Sequence, residues 1–116
     1  MNLVKSLDDQ AIRSAMASFI ERRRPPIHLR EKLDLFYSIV GRDVLIFEVR
    51  PHWRDPERKT TSDIAKARHV GSRDVWKIYW KRADGKWHSY EPRPEVETIE
   101  EFIEIVDSDS YGCFWG

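Results

Sequence analysis

The sequence predicts an α+β fold: an N-terminal helix, a five-stranded antiparallel meander and a C-terminal helix, with both helices on one face of the sheet. Three observations lead there. A segment near each end of the 116-residue chain carries apolar residues at helical spacing. Between them, successive runs alternate residue by residue and are separated by short turn signals. Strands grouped between helices, rather than alternating with them, belong to the α+β class. The expected segments are a helical 1–24, a sheet over 32–91, a helix over 98–107 and a docked aromatic tail over 108–116.

In the first segment Ile12, Met16, Phe19 and Ile20 fall on one helical stripe. Ser6 is the expected N-cap, with Asp9 three residues on as an Asp version of the capping box. Pro25-Pro26 stops the helix, because proline lacks an N–H and restrains the residue before it. Arg22-Arg23-Arg24 lies in the last turn, where cations suit the helix dipole.

Leu33, Leu35, Tyr37 and Ile39 then alternate with Asp34, Phe36, Ser38 and Val40, and a second run follows from Val44 to Arg50. Burial of polar side chains argues for an odd loop between them, putting Leu45, Phe47 and Val49 beside Leu35 in the core. That register sets Asp34 about opposite Arg50, and Glu48 opposite Phe36. Further on, Ala65, Ala67 and His69 alternate with Lys66, Arg68 and Val70, and Trp76, Ile78 and Trp80 with Lys77, Tyr79 and Lys81. A four-residue loop over Gly71–Asp74 matches Ala67 to Ile78 and Ala65 to Trp80, small against large. Ala83-Asp84-Gly85 turns the chain, with Gly85 left-handed, into a fifth strand from Trp87 to Tyr90. Either Trp87 or Tyr90 shares the face of Trp80, according to loop length. Thr98 and Glu101 form a capping box ahead of the stripe Ile99, Phe102, Ile103 and Val106. Both helices are expected over Leu35, Phe47, Ala67 and Trp80.

The composition narrows the function classes. The longest strongly apolar run, Val44-Leu45-Ile46-Phe47, is far short of the roughly 20 residues of a membrane span. Met1-Asn2-Leu3-Val4-Lys5 lacks the pattern of a secretion signal. The lone Cys113 excludes an intramolecular disulfide and a Cys-rich zinc site. A cytoplasmic setting, no membrane contact and no cofactor are the expectation. Net charge is zero, yet residues 1–93 carry +7 and residues 94–116 carry −7. Such asymmetry points to an anionic partner or to internal neutralisation.

Several landmarks recur together: Pro25-Pro26 with Leu29-Arg30, Glu48 through Trp53, Ile78-Tyr79-Trp80 with Gly85-Lys86-Trp87 and Tyr90, and Asp107-x-Asp109 with Gly112 and Phe114-Trp115-Gly116. In these the chain, from about Arg22 onward, resembles a small bacterial family catalogued as domain of unknown function 3024. The resemblance implies one compact domain and no assigned activity.

Candidate chemistry is sparse. Asp34, Glu48 and Arg50 resemble the acid, then acid-x-base, of metal-dependent nucleases. Against that, Arg50 cannot accept a proton and Pro51 follows directly. Asp107-x-Asp109-x-x-Gly112 echoes a calcium loop, but the chain ends before a twelfth-position glutamate; a turn stabilised by Asp side chains is expected. His28, His52, His69 and His88 lack metal-ligand spacing and read as surface or half-buried strand residues. Cys113 has no adjacent base. The strongest constellation is Lys66, Arg68, Lys77, Tyr79 and Lys81 on the second sheet face. Arg68 stands opposite Lys77, and such like charges call for an anion to offset them. Cations flanking an exposed ring suit single-stranded nucleic acid or another polyanion. A homodimer contact through Phe36, Val40 and Ile46 on that face is the alternative.

Overall fold

A computed structural model describes residues 9–115, the side chain of Asp9 excepted. The expected cap at Ser6, its partner side chain at Asp9, and Gly116 lie outside the described residues.

Helix α1 (Asp9–Arg23) is followed by a single 3-10 turn, Ile27–Leu29. Strands β1 (Asp34–Val40), β2 (Asp43–Pro51), β3 (Lys59–Val70), β4 (Val75–Lys81) and β5 (Trp87–Ser89) form an antiparallel meander in that spatial order. A two-residue strand, β6 (Glu95–Val96), was not foreseen; it pairs with β4 beside β5. Helix α2 (Ile99–Ser108) closes the fold.

Both helices cover one face of the sheet. The α1 stripe of Ile12, Met16, Phe19 and Ile20 is buried with Ile99, Phe102, Ile103 and Val106 of α2. Beneath them lie Leu35, Val44, Ile46, Ala65, Ala67, Trp76 and Ile78. Ala65 and Ala67 keep the middle of the sheet low, so large helix side chains pack on it without voids. Thr98 caps α2: its hydroxyl accepts the Glu101 N–H while the Glu101 carboxylate accepts the Thr98 N–H, a complete capping box. Asp109 ends the helix in the left-handed conformation, φ 42°. Its carboxylate accepts the N–H groups of Phe114 and Trp115 at 3.0 and 2.9 Å, folding the tail back. Phe114 then buries against Tyr90, with ring centroids 5.0 Å apart, and the Trp115 indole donates to the Val106 carbonyl at 2.8 Å.

The β3–β4 register matches the expectation: Ala65 faces Trp80, Ala67 faces Ile78, Lys66 faces Tyr79 and Arg68 faces Lys77. The β1–β2 register does not. Val40 pairs with Asp43 across the two residues Gly41 and Arg42, so Phe36 faces Phe47, Asp34 faces Val49 and Leu35 faces Glu48. Val44 and Ile46 are therefore in the core, while Leu45, Phe47 and Val49 are on the uncovered face. Gly41 at φ 60° occupies the first loop position, where a tight hairpin turn favours glycine. The penalty expected for placing Glu48 and Arg50 on the helix side is avoided, because Arg50 is exposed and bonds Glu48 at 3.3 Å.

The β2–β3 register skips one residue: Ile46 pairs with Ala65 and Phe47 with Asp63. The unpaired Ile64 forms a bulge, which lets Ile64 and Ala65 both be buried. At the other edge Lys81 faces Trp87, and the Tyr90 N–H donates to the Ile78 carbonyl. Tyr90 therefore shares the core face with Trp80, and Trp87 lies on the uncovered one.

Candidate functional site

Size matching on the helix side fixes β3 against β4, and strand alternation then sends the intervening side chains the other way. Lys66, Arg68, Lys77, Tyr79 and Lys81 share the uncovered face, with Trp87 opposite Lys81. The Lys66 ammonium lies 4.8 Å from the Tyr79 ring centre and 5.0 Å from that of Trp87. Lys81 reaches the Trp87 ring at 4.7 Å. Two aromatic rings thus alternate with two cations along this surface. Burial pushes the Lys66 ammonium below the usual lysine range; Asp43 pulls it back, and Arg68 and Lys81 add to the lowering.

The like-charge pairs are offset within the sheet by residues that were missed. Asp43 Oδ1 and Oδ2 accept from Arg68 Nε and Nη2 at 2.7 and 3.0 Å. Asp63 accepts from Lys81 at 2.8 Å. Glu95 of β6 stands opposite Lys77 and is held by Arg73 at 2.7 and 3.1 Å. Asp43 was missed because the wrong β1–β2 register turned it away, Asp63 because of the bulge, and Glu95 because β6 has only two residues. Among the described residues, Lys66 and Lys77 form no ion pair.

Apart from Glu95, the acids of the C-terminal segment do not cover this face. Asp107 binds Arg23 at 2.7 Å and Arg22 at 3.7 Å, and Glu101 binds Arg93 at 2.7 Å. Its counter-charges are the end of α1 and the loop before β6. This neutralises part of the charge asymmetry and leaves the basic face to its own acids.

Asp34, Glu48 and Arg50 do not form one centre. Asp34 stands opposite Val49, not Arg50, and although Asp34 and Glu48 line one cavity at this end of the sheet, Asp34 is paired with Arg24 and Glu48 with Arg50. Asp34 accepts from Arg24 Nε and Nη2 at 3.0 and 2.6 Å and from the Leu35 N–H at 2.8 Å. No group of three or more His, Cys, Asp or Glu able to hold a metal occurs among the described residues. The two aspartates of the calcium-like segment are spent on the tail turn and on Arg23. His69, expected at most half-buried, is fully buried, with Nε2 2.9 Å from Asp74. Cys113 is half-buried, and burial raises its thiol, which disfavours the thiolate.

The Arg24–Asp34 pair gives a pH prediction. Hydrogen bonds from Arg24 hold the Asp34 carboxyl below the usual aspartate range, against burial, which pushes it up. A depressed carboxyl stabilises the fold above its unfolded-state value, and that stabilisation drains as pH falls through the folded one. Urea midpoints should therefore fall between about pH 5 and pH 3, and Asp34→Asn should flatten part of that fall. Parallel wild-type and Asp34→Asn curves would refute the assignment.

The uncovered face and covered core define an α+β domain built as an open-faced antiparallel meander backed by two helices. Within that class the assignment is specific: the model of the family Domain of unknown function (DUF3024) matches residues 4–116, and the chain belongs to this family. No curated protein and no solved structure matches it. No helix among the described residues is long and apolar enough to cross a membrane.

Proposed function

We propose that the chain is a non-enzymatic, cytoplasmic binding module whose uncovered sheet face takes an anionic ligand, single-stranded nucleic acid being the class that suits both its cations and its rings. The observation that carries this is the row Tyr79, Lys66, Trp87, Lys81, in which ammonium groups rest on the rings at 4.7 to 5.0 Å. A cation–π contact contributes about 0.5–1 kcal/mol when exposed and about 2 kcal/mol when desolvated, and these half-buried contacts fall between. A base stacked on the same ring contributes about 1–3 kcal/mol. The ring exchange is about even, and the gain comes from the phosphate: a base takes the ring while the displaced ammonium meets a phosphate. The pair of Arg68 with Asp43 is half exposed on the Arg68 side and contributes little, so it exchanges readily, while the part-buried pair of Lys81 with Asp63 is the stronger of the two. Lys66 gives up only its ring contacts, and Lys77 has no ion pair to give up among the described residues.

Titration of the tryptophan fluorescence with a single-stranded oligonucleotide at two salt concentrations, in the wild type and in Trp87→Phe to identify the Trp87 contribution, tests this. Phosphates on Lys66 and Lys77 alone predict a slope of log K on log salt of about −1.4, and each further phosphate on Arg68 or Lys81 adds about −0.7. Lys77→Glu/Lys81→Glu should abolish binding. Absent binding, binding that ignores salt, or binding unchanged in that variant contradicts the proposal.

A further inference from the structure

We infer that β1 is a self-pairing edge, and that two copies of this chain associate through it, antiparallel and with their sheets continuous. Val40 and Asp43 flank the two-residue turn, so Val40, Ser38 and Phe36 point their backbone groups at β2. Those of Leu35, Tyr37 and Ile39 point outward. Consistently, the Leu35 N–H is not in the ladder but donates to its neighbour Asp34. Among the described residues nothing pairs with this edge.

Natural sheets blunt their edges with short strands, lysines, prolines or bulges. The opposite edge here does so: β5 has three residues, β6 has two, and Pro92 and Pro94 lie between them. β1 has none of these devices. It runs seven residues, Asp-Leu-Phe-Tyr-Ser-Ile-Val, without lysine, proline or bulge. Its single charge, Asp34, is already met by Arg24. Phe36 and Val40 stay 40% and 63% exposed.

The occupant that fits is a second copy, because the strand is complementary to itself. A two-fold axis at Tyr37 sets Leu35 opposite Ile39 and Phe36 opposite Ser38, and Asp34 opposite Val40, so no like charges meet. Tyr37 then pairs with its equivalent, as an isologous contact requires, and each Ile39 N–H meets the Leu35 carbonyl of the other copy while the Leu35 N–H stays on Asp34. This extends the sheet through both protomers and leaves the two basic faces open.

Sedimentation over a wide concentration series should show a monomer–dimer equilibrium. Val40→Asp, at an exposed site, puts two aspartates opposite each other twice per dimer and should raise the dissociation constant about tenfold. Val40→Lys should not weaken the dimer, since lysine then faces Asp34. In hydrogen exchange, the Tyr37 and Ile39 amides should gain protection with concentration, while Phe36, Ser38 and Val40 stay protected throughout. A monomer at all concentrations, or a dimer indifferent to Val40→Asp whose Tyr37 and Ile39 amides exchange freely, would overturn the inference. Lys77→Glu/Lys81→Glu leaves this edge untouched, so loss of anion binding and loss of pairing are separable.

Discussion

Replacing Ile46 with alanine is expected to lower the unfolding free energy by about 3 kcal/mol, whereas Leu45→Ala should lower it by only about 1 kcal/mol. Ile46 is completely buried beneath the helices, packed between Tyr37 on β1 and Ala65 on β3. Truncation leaves a cavity that helices anchored by Phe19 and Phe102 cannot close. Leu45 is half-buried on the uncovered face, between Ser38 and Lys66, where solvent fills the space. The adjacent pair tests register directly, because a one-residue slip between strands exchanges their roles. Urea midpoints give the answer. A larger loss for Leu45 than for Ile46 would show that the sheet is turned the other way.

Asp109→Ala should cost about 3 kcal/mol, for two additive reasons. Asp109 adopts φ 42°, a conformation that Asp tolerates and alanine resists by about 1–2 kcal/mol. Its carboxylate also accepts both the Phe114 and Trp115 N–H groups, and charged hydrogen bonds contribute about 1.5–3 kcal/mol. Asp109→Gly relieves the first loss and keeps the second. Asp109→Asn retains the conformation and one side-chain acceptor, so it should be the mildest, at about 1 kcal/mol. The order Asn, Gly, Ala in thermal unfolding tests the dual role. Equal losses for all three would mean that the tail does not depend on this residue.

Much of the fold was legible because the helices and β3–β4 are unambiguous. Each helix has a single apolar stripe, and β3 sets alanines against Trp80 and Ile78 on one side, with Lys66 and Arg68 facing Tyr79 and Lys77 on the other. The β1–β2 hairpin carries apolar residues on both faces: Val44 and Ile46 on one, Leu45, Phe47 and Val49 on the other. Alternation there cannot choose a side. Two long-range effects chose it: the helices lie over Val44 and Ile46, and Arg50 reaches solvent while pairing with the mostly buried Glu48, which offsets the polar penalty. The choice between Tyr90 and Trp87 rested likewise on one residue of loop. Of the candidate site, the cations and Tyr79 were legible from β3 and β4 alone. Trp87 and the acids Asp43, Asp63 and Glu95 depended on the turn, the bulge and the short β6, none of which leaves a periodic signal.

The open basic and aromatic face is the centre of this account, and mapping by nuclear magnetic resonance tests it most directly. Adding a single-stranded oligonucleotide to the labelled protein should shift the Lys66, Lys77, Tyr79 and Ser89 amides and the Trp87 indole N–H, and leave Ile12 to Ile20 and Glu100 to Glu104 in place. Shifts confined to the helices, or no shifts at low salt, would contradict it.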